Sequence, residues 1–373
     1  MIFNKETSPH IRRKATVTRM MSDVLIALAP TLIFSFVVYP INTLITYVLS
    51  LFIMIGSEFV FVGLKNMMPK DGLKHTFKER FVYAYKDRYS INNVLPPAIS
   101  AVIFTLIMPA GAPIYAVIVG ALVGIVIGKL VFGGLGSNIF NPAVVGMLFA
   151  KLCFGSQYVV DVPTWYYTIP DVAAGATPLG LINGGMLANI NQYPLLDMFL
   201  GRIPGTLGEV YKITIIIGLI YLLIRRSVDF RIVVSYLGTF TLLVLIAGLA
   251  LIGLNTGIDL WTFILYNLLS GGVLFGVTFM LTDPVTSPIN PPSRIIYGMV
   301  AAILTVFIRF FAALPEGVGF SILLANMVAV VLDHYEWSNP RYTWKNILAM
   351  GIIIVVSSLS VFLIISYGGV YNG

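Results

Sequence analysis

The chain has 373 residues, 58% of them hydrophobic and only 10% charged, far below the roughly 25% charged content of a soluble domain. One cysteine, Cys153, and three scattered histidines, His10, His75 and His334, exclude a disulfide framework and any cysteine-ligated zinc or iron–sulfur centre made by this chain alone; no metal site is expected. The formal charge of +7 is read, in so apolar a chain, as membrane orientation rather than nucleic-acid binding.

Residues 1–23, MIFNKETSPHIRRKATVTRMMSD, are polar and basic. They lack the apolar core and small-residue cleavage site of a secretory signal and read as a cytoplasmic N-terminal segment. Eleven apolar stretches follow, at 24–40, 43–64, 91–109, 113–132, 139–153, 211–224, 231–253, 260–281, 295–314, 317–333 and 346–367. Stretches of this kind cross a bilayer as helices, because lipid leaves no other way to satisfy the backbone of so long an apolar run. The fifth and sixth are short and read as tilted spans or as half-helices of a broken-helix core.

Basic residues set the expected orientation. With the N-terminus in the cytoplasm and each span reversing the side, 19 of the 23 Lys and Arg residues fall on the cytoplasmic face, leaving Lys151, Arg202, Lys212 and Arg309 opposite. This is the asymmetry of the positive-inside rule, and it places residues 154–210 outside. The basic loop between the second and third spans then faces anionic lipid head groups or partner subunits.

An internal echo links the third and eighth spans. PPAISAVIFTLIMPAGAP (96–113) and GGVLFGVTFMLTDPVTSP (271–288) share two prolines at the same spacing, with Pro96–Pro97 opposite Gly271–Gly272. An offset of five spans reverses membrane direction, so the expected fold is an all-α polytopic membrane protein with a five-plus-five inverted repeat and one extra C-terminal helix. The expected divisions are 24–153 for the first repeat, 154–210 for the extracytoplasmic loop, 211–333 for the second repeat and 334–373 for the tail with its added helix.

Two Gly/Pro/Asn-rich breaks, GGLGSNIFNPA (133–143) and LTDPVTSPINPPSR (281–294), interrupt the apolar pattern. No βαβ pattern surrounds the first and no GxxxxGK[ST] run exists, so neither a dinucleotide fold nor a P-loop is expected. Asn138 and Asn141 read as helix caps more readily than as ligands. Intramembrane ionisable groups are costly and tend to be functional. Glu58 in the second span and Asp283 at the second break are therefore candidates for an ion path. The competing readings are that Glu58 snorkels or pairs with a Lys or Arg near the helix end, and that Asp283 has a capping role.

The 154–210 loop holds TWYYTIP, DVAAGATPLG and FLGRIPGTLGEVY, with Asp161, Asp171, Asp197 and Glu209 but no histidine. No Ser-His-Asp set can form within it, which counts against an external hydrolase. Trp165, Tyr166 and Tyr167 fit either an interfacial aromatic belt or a stacking surface. The run Asp171–Thr177 resembles the signature of covalent flavinylation. Together IFNPAVVG (139–146), GATPLG (175–180), FLGRIPGTLGEV (199–210) and LTDPVTSP (281–288) resemble the D subunit of the Rnf ion-translocating ferredoxin:NAD oxidoreductase, which is similar to the B subunit of the sodium-pumping NADH:quinone reductase.

The resemblance covers about residues 15–335, and Ala174 departs from it where Ser or Thr is usual. It implies FMN joined through its phosphate to Thr177, with Asp171, Gly175 and Ala176 forming the accessible segment around that hydroxyl, and a second, noncovalent flavin in the helical core. It also implies partners: another FMN-bearing extracytoplasmic subunit, iron–sulfur membrane subunits, and cytoplasmic subunits for ferredoxin and NAD(H). Electron flow between ferredoxin and NAD would drive Na⁺ or H⁺ outward across the cell membrane. A solute channel or transporter with an inverted-repeat fold is the alternative of a different class, and a quinone-reducing component is the alternative within the same class.

Overall fold

A computed structural model describes residues 17–66, 77–86, 89–134, 136–158, 179, 193–312, 317–334 and 341–367. These form helices α1 (Val17–Val38), α2 (Pro40–Asn66), α3 (Phe77–Tyr85), α4 (Ile91–Ile107), α5 (Ile114–Gly128), α6 (Pro142–Phe154), α7 (Leu195–Leu200), α8 (Lys212–Arg225), α9 (Phe230–Gly253), α10 (Leu260–Leu269), α11 (Val273–Met280), α12 (Pro291–Phe311), α13 (Val318–Leu332) and α14 (Trp344–Tyr367). The chain is an all-α polytopic membrane protein. Among the described residues, six helices are long and apolar enough to cross a bilayer, and the bent pair α10–α11 makes a seventh if its two arms count as one span. Each of the eleven expected stretches coincides with a helix or with that bent pair.

The eighth stretch differs from its expected continuous form. It breaks at Ser270–Gly272 and bends by 56° between α10 and α11. Gly271 there has φ +60, a left-handed value that glycine adopts at little cost. α11 then continues through a wide π turn, Gly276–Met280. By contrast, Pro96 and Pro97 lie inside the continuous helix α4.

Helix pairing recurs between the two halves. In the first, α1 and α2 pack on α4, α2 on α5, α4 on α6, and α5 on α6. In the second, α8 and α9 pack on α10–α11, α9 on α12, α11 on α13, and α12 on α13. The halves meet where α1 packs on α8 and α6 on α13. The tail helix α14 packs on α9 and α12 and leaves most of its apolar surface facing outward.

The contact of α5 against α6 rests on small residues. Gly120, Gly124 and Gly128 recur every fourth position on α5, facing Gly146 and Pro142 of α6. A methyl group on Gly146 would overlap the Gly120 carbonyl oxygen, and one on Gly124 would lie 2.6 Å from that of Pro142. Without a hydrophobic drive between helices in lipid, such close backbone approach supplies the packing contacts that hold them together.

The end of the 154–210 segment is packed rather than solvated. Ile203, Leu207, Val210 and Tyr211 are buried. The Leu207 and Gly208 amides donate to the carbonyls of Met108 and Leu106, at 3.0 and 2.7 Å. They thereby take up carbonyls that the end of α4 leaves without helical partners.

Candidate functional site

Two buried charges meet at the foot of α5. Glu58 of α2 and Lys129, which follows the last turn of α5, pair at 2.9 Å with side chains 2% and 3% exposed. The pairing alternative for Glu58 is thus realised, through a lysine adjacent in the fold and 71 positions away in sequence. Gly133 and Gly134, at φ +110 and +97, fold the following loop back over the pair. A methyl on Gly134 would meet the Phe61 ring at 3.5 Å and Glu58 Oε1 at 4.0 Å. Lys65 Nζ donates to the Gly133 carbonyl at 3.3 Å and holds that loop down.

Both breaks, 133–143 and 281–294, converge on Lys129. A narrow crevice enclosing about 750 Å³, counted to its open mouth, lies between the halves and is lined by Lys129, Asn138, Asn141, Thr278, Thr282 and Asp283 among others. Asn141 caps α6, its side chain accepting from the Ala143 amide at 3.1 Å, with Pro142 at the first helical position. Asn138 donates to the Phe140 carbonyl at 3.1 Å. Asp283 accepts from the Val285 amide at 3.1 Å and is close enough to Lys129 for the two charges to attract. Asp283 therefore both caps a turn and faces the lysine that pairs with Glu58. Thr278 and Thr282 donate their hydroxyls to the Leu274 and Thr278 carbonyls at 2.7 Å. That leaves the hydroxyl lone pairs as acceptors in the crevice wall.

Asp171, Gly175, Ala176 and Thr177, with Ala174 and the aromatics Trp165, Tyr166 and Tyr167, lie outside the described residues. Leu179, two positions after Thr177, is described and buried. It packs on the bend of the eighth span, where a methyl on Gly271 would meet Leu179 Cδ1 at 2.6 Å and Arg309 Nη2 at 3.4 Å.

The same bend accounts for two of the four cations that the orientation count leaves on the opposite face. Lys212 donates to the carbonyls of Glu209 and Gly271 at 2.5 and 2.8 Å. Arg309 donates to those of Asn267 and Ser270 at 2.7 and 3.4 Å and lies over the Phe240 ring at 5.3 Å. Both satisfy carbonyls that the broken helix leaves open, and positive charge is favoured at a helix C-terminus. Sequence reasoning missed this role, as it missed Lys129. The available signal was a pair of cations on the face where the positive-inside rule predicts few.

Comparison with known proteins adds the family. The chain is 36% identical over 257 residues to the B subunit of the Na(+)-translocating NADH-quinone reductase of Chromohalobacter salexigens, covering 68% of this chain and 61% of that protein. It is 29% identical over 343 residues to the D subunit of the proton-translocating ferredoxin:NAD(+) oxidoreductase complex of Clostridium ljungdahlii, covering 90% and 94%. It is 28% identical over 331 residues to the D subunit of the Na(+)-translocating ferredoxin:NAD(+) oxidoreductase complex of Acetobacterium woodii, covering 88% and 92%. The chain thus spans about three fifths of the quinone-reductase relative's length and nearly all of each of the two ferredoxin-linked relatives. Residues 4–341 match one family as a whole, and on that match the chain belongs to the NQR2, RnfD, RnfE family.

Proposed function

We propose that the chain is a membrane subunit of a redox-driven ion pump of the Rnf type. It would carry covalent FMN at Thr177 and take part in moving electrons between ferredoxin and NAD, coupled to Na⁺ or H⁺ translocation. The observation that carries the reading is the end-to-end match to the D subunits of two ferredoxin:NAD(+) oxidoreductase complexes. The quinone-reductase relative has the higher identity but is covered over only 61% of its length, which makes the quinone-reducing role the second reading.

The FMN, when bound, supplies the electron chemistry. The chain's own residues hold and expose it. Gly175 and Ala176 keep bulk away from the Thr177 hydroxyl, Pro178 restricts the backbone beyond it, and Asp171 assists attachment. Leu179, two positions beyond Thr177 in sequence, is packed against the bend of the eighth span. The orientation proposed has the N-terminus in the cytoplasm of a cell whose inner or plasma membrane holds the complex, with the 154–210 segment outside. The partners proposed are the second FMN-bearing subunit, the iron–sulfur membrane subunits and the cytoplasmic ferredoxin and NAD subunits.

The recurring helix pairs support reading the halves as an inverted repeat. The second, noncovalent flavin that the family resemblance implies is assigned to the helical core. Glu58 and Asp283 are the proposed ion-path residues.

The test is a denaturing gel of the purified complex under ultraviolet light. A fluorescent band at the mass of this chain that Thr177→Val removes is expected. A dark wild-type band would refute the carrier reading and favour the solute channel.

A further inference from the structure

We propose that Lys129 is the gate of the cation path, an internal ammonium that the transported ion must displace from Glu58. The inference rests on the ion-pump reading above and names the residue that closes the path. The two members of the ion pair line different cavities. Glu58 lines a vestibule of about 740 Å³ with Lys65, Asn66, Asn93, Gly133 and Gly134. Lys129 lines the crevice that also holds Asp283, Thr278 and Thr282. We take the 2.9 Å contact between Glu58 and Lys129, one in each lining, as the partition between the two spaces. Apart from that contact, neither Glu58 Oε2 nor Lys129 Nζ has a hydrogen-bond partner among the described residues. The pair is thus not locked by surrounding donors and acceptors, as a purely structural buried pair generally is.

Charge explains why a lysine suits this place. A monovalent cation entering from the vestibule meets Glu58 already neutralised, so it binds only if the ammonium leaves. Asp283 offers Lys129 a second carboxylate on the crevice side, and lysine's flexible four-carbon stem and point charge permit the exchange. With both carboxylates ionised, Glu58, Lys129 and Asp283 sum to one negative charge. One monovalent cation on Glu58 with Lys129 on Asp283 balances it. The threonine hydroxyl oxygens and the Asp283 carboxylate then give a hard cation oxygen ligands on the far side.

The experiment uses the whole complex in sealed vesicles, with ²²Na⁺ uptake and a pH-sensitive dye read in parallel to separate the two possible ions. Lys129→Gln is expected to retain electron transfer but lower the ions moved per electron at least fivefold. It is also expected to let the transported ion leak down its gradient without electron donors. Lys129→Arg, which keeps the charge, is expected to keep the vesicles tight. The double variant Glu58→Gln/Lys129→Gln strands neither member of the 2.9 Å pair, which protects folding. It is expected to carry electrons while neither pumping nor leaking.

Tight vesicles and a wild-type ion-to-electron ratio in either the single Gln variant or the double variant would overturn the gate. A wild-type complex that transfers electrons without moving either ion would instead overturn the pump reading, and the gate with it.

Discussion

Removing the lysine of the buried pair should damage the fold more than removing both charges. At 2.9 Å and an effective dielectric of 20, the attraction between Glu58 and Lys129 is about 6 kcal/mol. Taking both groups out of water offsets most of it, so the pair's net worth is small. Truncating one partner is different, because it strands a charge that is almost wholly buried. Lys129→Met should therefore cost about 3–5 kcal/mol, less whatever Glu58 recovers by binding a proton. Glu58→Gln should cost less than Lys129→Met, because the stranded ammonium retains Asp283 nearby. The double variant Glu58→Gln/Lys129→Met should return to within about 1–2 kcal/mol of wild type. The assay is a double-mutant cycle on the unfolding of the detergent-solubilised protein. A coupling below about 1 kcal/mol, with the two single effects simply adding, would refute the picture of a desolvated pair.

At the α5–α6 seam, Gly124→Ala puts a methyl 2.6 Å from the Pro142 carbonyl oxygen. It should destabilise by about 1–3 kcal/mol through overpacking, read as a drop in melting temperature, while Gly238→Ala, with open space around it, should not. Asp229 caps α9 and pairs with Arg231 and Arg294. Burial alone would raise its carboxyl pKa, but the Arg231 amide and the two guanidinium groups outweigh that and hold it below the ordinary 3.8. Its contribution is therefore full above about pH 3.8 and is lost as pH falls through the lowered native value. Asp229→Asn should thus melt lower than wild type at neutral pH, with the gap closing in strong acid. Glu58→Gln should abolish ion movement while electrons still flow, and a variant that pumps at the wild-type ratio would remove Glu58 from the path.

The sequence was enough for the class of protein and for the course of the chain. Long runs of apolar residues have one stable form in lipid, so every stretch read from composition became helical, and Asn141 before Pro142 was legible as a cap because capping is local. The resemblance of Asp171–Thr177 to a flavinylation signature, on which the proposed FMN site rests, is likewise carried by the string of residues alone. Three things depended on the assembled bundle. The pairing of Glu58 with Lys129 needed α2 and α5 to lie side by side, and their separation in sequence carries no sign of it. The bend of the eighth span needed Lys212 and Arg309, from α8 and α12, to take up the carbonyls it opens, and each alone looks like a misplaced surface cation. The crevice needed the glycine-rich break at 133–143 and the proline-rich break at 281–294 brought face to face, bringing Asp283 and Lys129 together. A sequence states the local cost of each polar group placed among apolar neighbours; only the tertiary structure supplies the distant partner that offsets it.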